Sequence, residues 1–224
     1  MINNIPHNYI KIDYKNILDA YRHGIFPMAE NVNSLDVFWV KPVKRGVIDP
    51  YKINIRKKLK RFINTNPFLI KINTDFIGVI EGCAEITNYR ENTWINPSIR
   101  DVFIDLHYKG YAHSIECYSN NMLVGGLYGV AIGGIFFGES MFSRSPNASK
   151  VALLHLIDRL KVGNFILLDT QFITDHLKTL GAYEITQEKF MLILKKALHI
   201  NADFYKIGKS GELNINLYPK SSNY

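Results

Sequence analysis

The run Glu116-Cys117-Tyr118-Ser119-Asn120-Asn121-Met122-Leu123-Val124-Gly125-Gly126-Leu127-Tyr128-Gly129-Val130-Ala131-Ile132-Gly133-Gly134-Ile135-Phe136-Phe137-Gly138-Glu139 carries no charge between its terminal acids. It is long enough to cross a bilayer as one helix, and Gly125, Gly129 and Gly133 have the spacing of a membrane helix-pairing motif. A second reading accounts for more of its residues. Asn120-Asn121 and Gly133-Gly134 are two-residue hairpin signals, and they cut the run into short pieces rich in Val, Ile, Tyr and Phe. Three antiparallel strands, over about residues 112–118, 122–131 and 135–139, are therefore expected. The polar start, Met1 to Tyr14, lacks the apolar centre of a signal peptide, so a cytoplasmic protein without a membrane partner is expected.

The meander empties into Gly138-Glu139-Ser140-Met141-Phe142-Ser143-Arg144, a cluster of acid, hydroxyls and base. A carboxylate at the end of an apolar strand is costly to desolvate without a partner, which marks Glu139 as a candidate for chemistry. Downstream, Val151, Leu154, Ile157 and Leu160 form one stripe of a helix over 147–161, closed by Gly163. Phe165 to Asp169 reads as a buried strand ending in an acid, followed by a short helix over 174–180 and a helix through Phe190 to Ala197. Upstream, Asn96-Pro97 opens a helix that ends near Gly110. Further helices are expected over 16–23, 53–63 and 75–85, a strand over 68–72, and extended pieces at Ile25-Phe26-Pro27 and Phe38-Trp39-Val40. Strands in a meander followed by alternating helix and strand make an α+β protein with a mixed sheet.

At 224 residues and 47% hydrophobic content, the chain can bury one substantial core with a small second domain. Two cysteines, Cys83 and Cys117, cannot build a disulfide framework, and the seven histidines show no zinc spacing, so no metal is expected. The net charge of +7 suggests an acidic partner. Arg56-Lys57-Lys58-Leu59-Lys60-Arg61 lies on the open faces of the expected 53–63 helix. It fits either a solvated surface or a phosphate-binding one.

The segments Gly138 to Arg144, Asn147-Ala148-Ser149-Lys150 and Leu167-Leu168-Asp169-Thr170-Gln171-Phe172 resemble the leucyl/phenylalanyl-tRNA protein transferases. The likeness extends through Tyr21-Arg22-His23-Gly24-Ile25-Phe26-Pro27, Phe38-Trp39, Val79 to Ala84, Thr93-Trp94-Ile95, Ala112 to Glu116 and Leu180-Gly181-Ala182. It covers roughly residues 16–198.

The resemblance implies a small N-terminal domain, taken as 1–51, on a catalytic domain similar to the acetyltransferase (GNAT) fold, taken as 52–224. It implies transfer of Leu or Phe, less readily Met, from aminoacyl-tRNA to the α-amine of proteins that begin with Lys or Arg, tagging them for N-end rule degradation. No cofactor is implied, and Ser143 to Lys150 lacks the glycine run of a pyrophosphate loop, which argues against coenzyme A. The implied catalytic residues are Asp169 and Gln171, with the Asp polarising the Gln and the Gln carbonyl drawing a proton from the amine, and Glu139. Standing two apart on an extended segment, Asp169 and Gln171 should share a face. Glu139 and Asp169 together are expected to attract the cationic side chain of the acceptor. The implied aminoacyl and adenosine pocket comprises Trp39, Trp94, Leu127, Phe136, Gly138, Leu153, Leu156 and Leu168; Leu127 and Leu156 stand where the best-known members have Met and Phe. An RNA substrate turns the basic helix toward phosphate binding, through Arg56, Lys57, Lys60 and Arg61 with Lys52 and Arg45.

Overall fold

The computed structural model describes residues 2–4, 12–53, 55–87 and 91–208. The apolar run forms β6 (Ala112–Ser119), β7 (Met122–Ile132) and β8 (Ile135–Ser143), turned at Asn120-Asn121 and Gly133-Gly134 as the hairpin signals predict. Around this meander a seven-stranded sheet is completed by β4 (Lys44–Ile48), β5 (Leu69–Ile72), β9 (Leu167–Gln171) and β10 (Tyr183–Thr186), in the order β10-β4-β9-β8-β7-β6-β5. Every pairing is antiparallel except β8 with β9. A separate three-stranded sheet joins β1 (Ile2–Asn4), β3 (Phe38–Pro42) and β2 (Phe26–Met28).

Adjacent residues on a strand face opposite sides, so each sheet face gathers its own core. Val47, Tyr128, Phe137 and Leu167 belong to one cluster with α1 (Tyr14–Arg22), α3 (Phe76–Ala84), α4 (Pro97–Tyr108) and α7 (Gln187–Ala197). Ile48, Leu127, Phe136 and Leu168 belong to the other, where α5 (Ala148–Val162) lies. Two short helices, α2 (Lys57–Ile63) and α6 (Asp175–Lys178), fill the α5 side. The architecture is α+β with a mixed, mostly antiparallel sheet. No helix among the described residues is long and apolar enough to cross a membrane.

Several boundaries differ from expectation. Helix α2 begins only at Lys57, and Arg56, in its N-cap position, offers no side-chain acceptor to the first turn. Asn147 lies outside α5, in left-handed conformation at φ 66°. Strand β8 runs beyond Glu139 to Ser143, and β9 beyond Asp169 to Gln171. Strands β4 and β10 carry no strong alternation and have no counterpart in the sequence reading. Strand β4 is nevertheless interior to the large sheet, between β10 and β9.

Candidate active site

The parallel pair β8 and β9 stays in register only from Ile135↔Leu167 to Phe137↔Asp169. Past that point β8 keeps pairing with β7 and β9 with β4, so the two parallel strands part. Each carries a β-bulge where they separate. On β8, Tyr128 and Gly129 face Ser140 and Gly138, which leaves Glu139 as the extra residue. On β9, Gly46 and Val47 face Gln171 and Asp169, which leaves Thr170 as the extra residue. A bulge re-aims its side chain, and here both face one gap. Gly129 is required by the first bulge, because a Cβ there would lie 2.2 Å from the Phe137 carbonyl oxygen.

The gap is a cavity of about 300 Å³. Leu127, Leu153, Leu156 and Leu168 give it apolar walls, with Gly138 at the strand separation. Four buried polar atoms have no hydrogen-bond partner among the described residues and belong to residues lining it: Tyr128 Oη, Glu139 Oε2, Thr170 Oγ1 and His176 Nε2. The Tyr128 ring packs on Phe76 and Phe103 in the α1-side core, so its hydroxyl does not belong to the cavity. Buried polar groups are rarely left unpaired, and the other three, on Glu139, Thr170 and His176, mark a place suited to a polar molecule with an apolar part.

The two acids that bracket the uncharged run show the contrast. Glu116 is fully buried and satisfied by the backbone N–H groups of Thr74 and Asp75 and the hydroxyls of Thr74 and Ser114, which ties β6 to the start of α3. Glu139 accepts only at Oε1, from Tyr21 Oη at 2.6 Å and Gln171 Nε2 at 3.0 Å. Burial pushes the Glu139 carboxyl up to about 8, against the lowering effect of these two hydrogen bonds. It is therefore predominantly protonated at neutral pH, with Oε2 as the unpartnered hydroxyl. Burial, and then the nearby Glu139, also raise Tyr21 and Tyr128 well above the ordinary phenol range.

Behind Gln171 lies a buried ion pair. Arg45 grips Asp169 through Nε, 2.9 Å from Oδ1, and Nη2, 2.6 Å from Oδ2, while Nη1 donates to the Gly24 carbonyl at 3.0 Å. Its guanidinium carbon lies 4.8 Å from the Phe26 ring centre and 4.4 Å from that of Phe190. Asp169 Oδ1 also accepts the Gln171 backbone N–H at 2.8 Å. Gln171 sits at φ 60°, a conformation that costs a non-glycine residue about 1–3 kcal/mol unless its surroundings hold it. The pair with Asp169 therefore runs through the Gln171 backbone, not through two side chains sharing an extended face. With Nε2 given to Glu139, the amide oxygen of Gln171 remains as an acceptor.

The residues expected from sequence divide clearly. Glu139, Asp169 and Gln171 come together, and Leu127, Gly138, Leu153, Leu156 and Leu168 line the cavity. Trp39 and Trp94 do not line it; they are half-buried against the α1 side core. Phe136 is sealed in the opposite core, stacked 5.7 Å from Phe204. Lys52, Arg56, Lys57 and Arg61 are exposed and Lys60 is half-buried. Arg45 was expected among the phosphate-binding residues. It is sealed from solvent by its pairing with Asp169 and cannot reach a phosphate. Asp169 is equally unable to receive a second cation, which corrects the expectation of two free carboxylates. Tyr21, Tyr128, Thr170 and His176 were missed. Tyr21 and Thr170 both lie in segments that carry the family resemblance, but only long-range folding brings Tyr21 to Glu139.

A family model described as leucyl/phenylalanyl-tRNA protein transferase matches residues 47–195, and one for that family's N-terminal domain matches residues 11–43. The chain belongs to the leucyl/phenylalanyl-tRNA protein transferase family. Among proteins of that name, one from Zymomonas mobilis is 54% identical over 84% of this chain and 70% of its own length. Those of Rhizorhabdus wittichii and Ruegeria pomeroyi are each 48% identical, over 85% and 84% of this chain and 77% and 88% of their own lengths. The two family models together take in β2, β3, the strands from β5 to β10 and the cavity between β8 and β9.

Proposed function

We infer that the protein transfers leucine or phenylalanine from aminoacyl-tRNA to the α-amine of an acceptor protein. The observation that carries this reading is the apolar cavity at the parting of β8 and β9, rimmed by unpartnered polar atoms and backed by the Glu139-Gln171-Asp169-Arg45 chain. The apolar walls suit an aliphatic or aromatic side chain, with methionine a poorer substrate. The acceptor is a protein beginning with Lys or Arg, which leucine or phenylalanine then marks for N-end rule degradation. The meander, α5 and β9 support a GNAT-like catalytic domain; because β4 belongs to the large sheet, the small domain is better ended before Lys44 than at residue 51.

The chemistry demands little of a base. An α-amine with a pKa near 8 is neutral in roughly a tenth of molecules at pH 7, so its deprotonation costs about 1 kcal/mol. The neutral amine attacks the ester carbonyl carbon, the C–N bond forms, the bond to the ribose oxygen breaks, and the amine proton ends on that oxygen. The Gln171 amide oxygen accepts the amine N–H and orients its lone pair, a positioning effect worth several kcal/mol. Asp169 and Arg45 hold the Gln171 backbone. Glu139 selects the acceptor: an approaching cationic side chain ionises it, at a cost near 1.4 kcal/mol for a group titrating one unit above the ambient pH. Lys52, Lys57, Lys60 and Arg61 contact the tRNA phosphates.

Transfer of labelled leucine from Leu-tRNA to an Arg-starting peptide, with an Asp-starting peptide as control, tests the reading. Transfer to the first alone supports both donor and acceptor; equal transfer removes the charge selection, and none removes the activity. Glu139→Gln should raise the acceptor KM more than it lowers kcat.

A further inference from the structure

Transfer of the amino acid requires a proton to move, and the groups assigned so far do not move it. A neutral attacking amine carries two N–H bonds, and one of them must break before an amide is formed. The Gln171 amide oxygen accepts a hydrogen bond from one N–H, but an amide is too weak a base to take the proton away. The carrier is therefore another group at the same cavity, with an atom free to accept.

Three buried atoms of residues lining the cavity have no partner among the described residues and no place in the core: Glu139 Oε2, Thr170 Oγ1 and His176 Nε2. With its carboxyl pushed up to about 8, Glu139 already holds a proton at neutral pH, and when a cationic acceptor ionises it the charge is committed to that cation. A threonine hydroxyl does not titrate in this range. Burial, and then the charge of Lys150, hold the His176 imidazole below its ordinary value, so the ring is neutral and keeps a lone pair. Asp175 and Lys178, on the same helix, are paired with each other at 2.9 Å, and Asp169 is held by Arg45.

The surroundings of His176 fix it in place. Helix α6 is capped by Thr174, whose hydroxyl oxygen accepts the Leu177 N–H at 3.2 Å, and Thr174, His176 and Leu177 all line the cavity. The His176 carbonyl accepts from the Thr179 hydroxyl at 2.6 Å and from the Thr179 N–H at 3.1 Å, which holds the backbone that carries the ring. The residue as a whole is half-buried while Nε2 is buried, so the side chain spans the boundary between cavity and solvent.

We propose that His176 is a catalytic residue whose Nε2 carries the proton from the attacking amine to the departing ribose oxygen. This rests on the transfer reading above. As the C–N bond forms, the nitrogen becomes positively charged and gives one proton to Nε2. The imidazolium then gives that proton to the ribose oxygen as the C–O bond breaks, so the ring returns to neutral and no net proton is consumed. Nitrogen and leaving oxygen are bonded to the same tetrahedral carbon, so one ring nitrogen serves both without moving the helix.

Single-turnover transfer from saturating Leu-tRNA to an Arg-starting peptide separates this role from a binding one. His176→Gln, or His176→Asn if the first variant does not fold, should lower the rate about a hundredfold, the scale of one general acid–base group, with Leu-tRNA affinity within about twofold of wild type. Added imidazole should raise the rate of His176→Ala about tenfold or more and leave wild type unchanged, a response that a merely structural side chain does not give. A His176→Gln rate within about threefold of wild type, weakened Leu-tRNA binding with the rate intact, or a loss in His176→Ala that imidazole leaves unchanged would overturn the assignment. Wild-type protein that transfers no amino acid would instead remove the transfer reading; normal wild-type transfer with an indifferent His176→Gln removes only this inference.

Discussion

Arg45 and Asp169, from strands on opposite sides of the primary sequence, form a two-bond ion pair with neither side chain reached by solvent. Removing one member of such a pair strands the other charge and costs about 3–5 kcal/mol. Arg45→Met should therefore lower unfolding free energy by that amount in urea titration, and Arg45→Lys should recover little, because a single ammonium cannot reproduce the planar fork. A loss under 1 kcal/mol in Arg45→Met would show that the pair does not hold β4 to β9.

Gln171 combines a strained backbone with a side chain committed to Glu139. Gln171→Gly relieves the φ 60° strain while deleting the amide, so it should raise stability by about 1 kcal/mol and lower kcat at least a hundredfold. Opposite signs for stability and turnover identify a residue kept for positioning. Loss of both in parallel would indicate a purely structural one.

Glu139 ties stability to pH. Its folded-state carboxyl, raised to about 8 by burial, holds a proton that the unfolded chain releases near 4.5. Between those values the folded state binds more protons, so this group's contribution falls as pH rises, by at most ~1.4 kcal/mol per pH unit. Glu139→Gln should flatten the stability profile between pH 5 and 8 relative to wild type. Tyr21→Phe removes a hydrogen bond that lowers this carboxyl, so its titration should move to higher pH. Superimposable stability profiles for wild type and Glu139→Gln would contradict a protonated Glu139.

The donor preference depends on cavity volume. Leu156→Trp adds bulk to one apolar wall beyond the Phe that other family members carry there, and should reduce kcat/KM for Phe-tRNA relative to Leu-tRNA about tenfold, within the 1–3 kcal/mol that shape supplies in such sites. Competition between the two charged tRNAs measures the ratio directly. An unchanged ratio would place the amino acid elsewhere.

Local signals identified most of the fold. The two hairpin turns, the α5 stripe and the Asn96-Pro97 start all appear within one or two residues of their expected places, because turn chemistry and helical periodicity act over a few residues. Strands β4 and β10 were not legible. Their stability comes from pairing with each other and with β9, far away in sequence, not from their own composition.

By itself, the sequence determined the meander, the alternation of helix and strand that follows, the three residues Glu139, Asp169 and Gln171, and the family that carries them. Only tertiary structure decided what those residues do to one another. The parting of β8 from β9, the bulges that re-aim Glu139 and Thr170, and the capture of Arg45 by Asp169 all depend on strands brought together across the chain. Whether a charge is sealed or exposed is a property of its neighbours in space, and for that reason Arg45, a surface cation by its sequence, is a buried support for Gln171 in the fold.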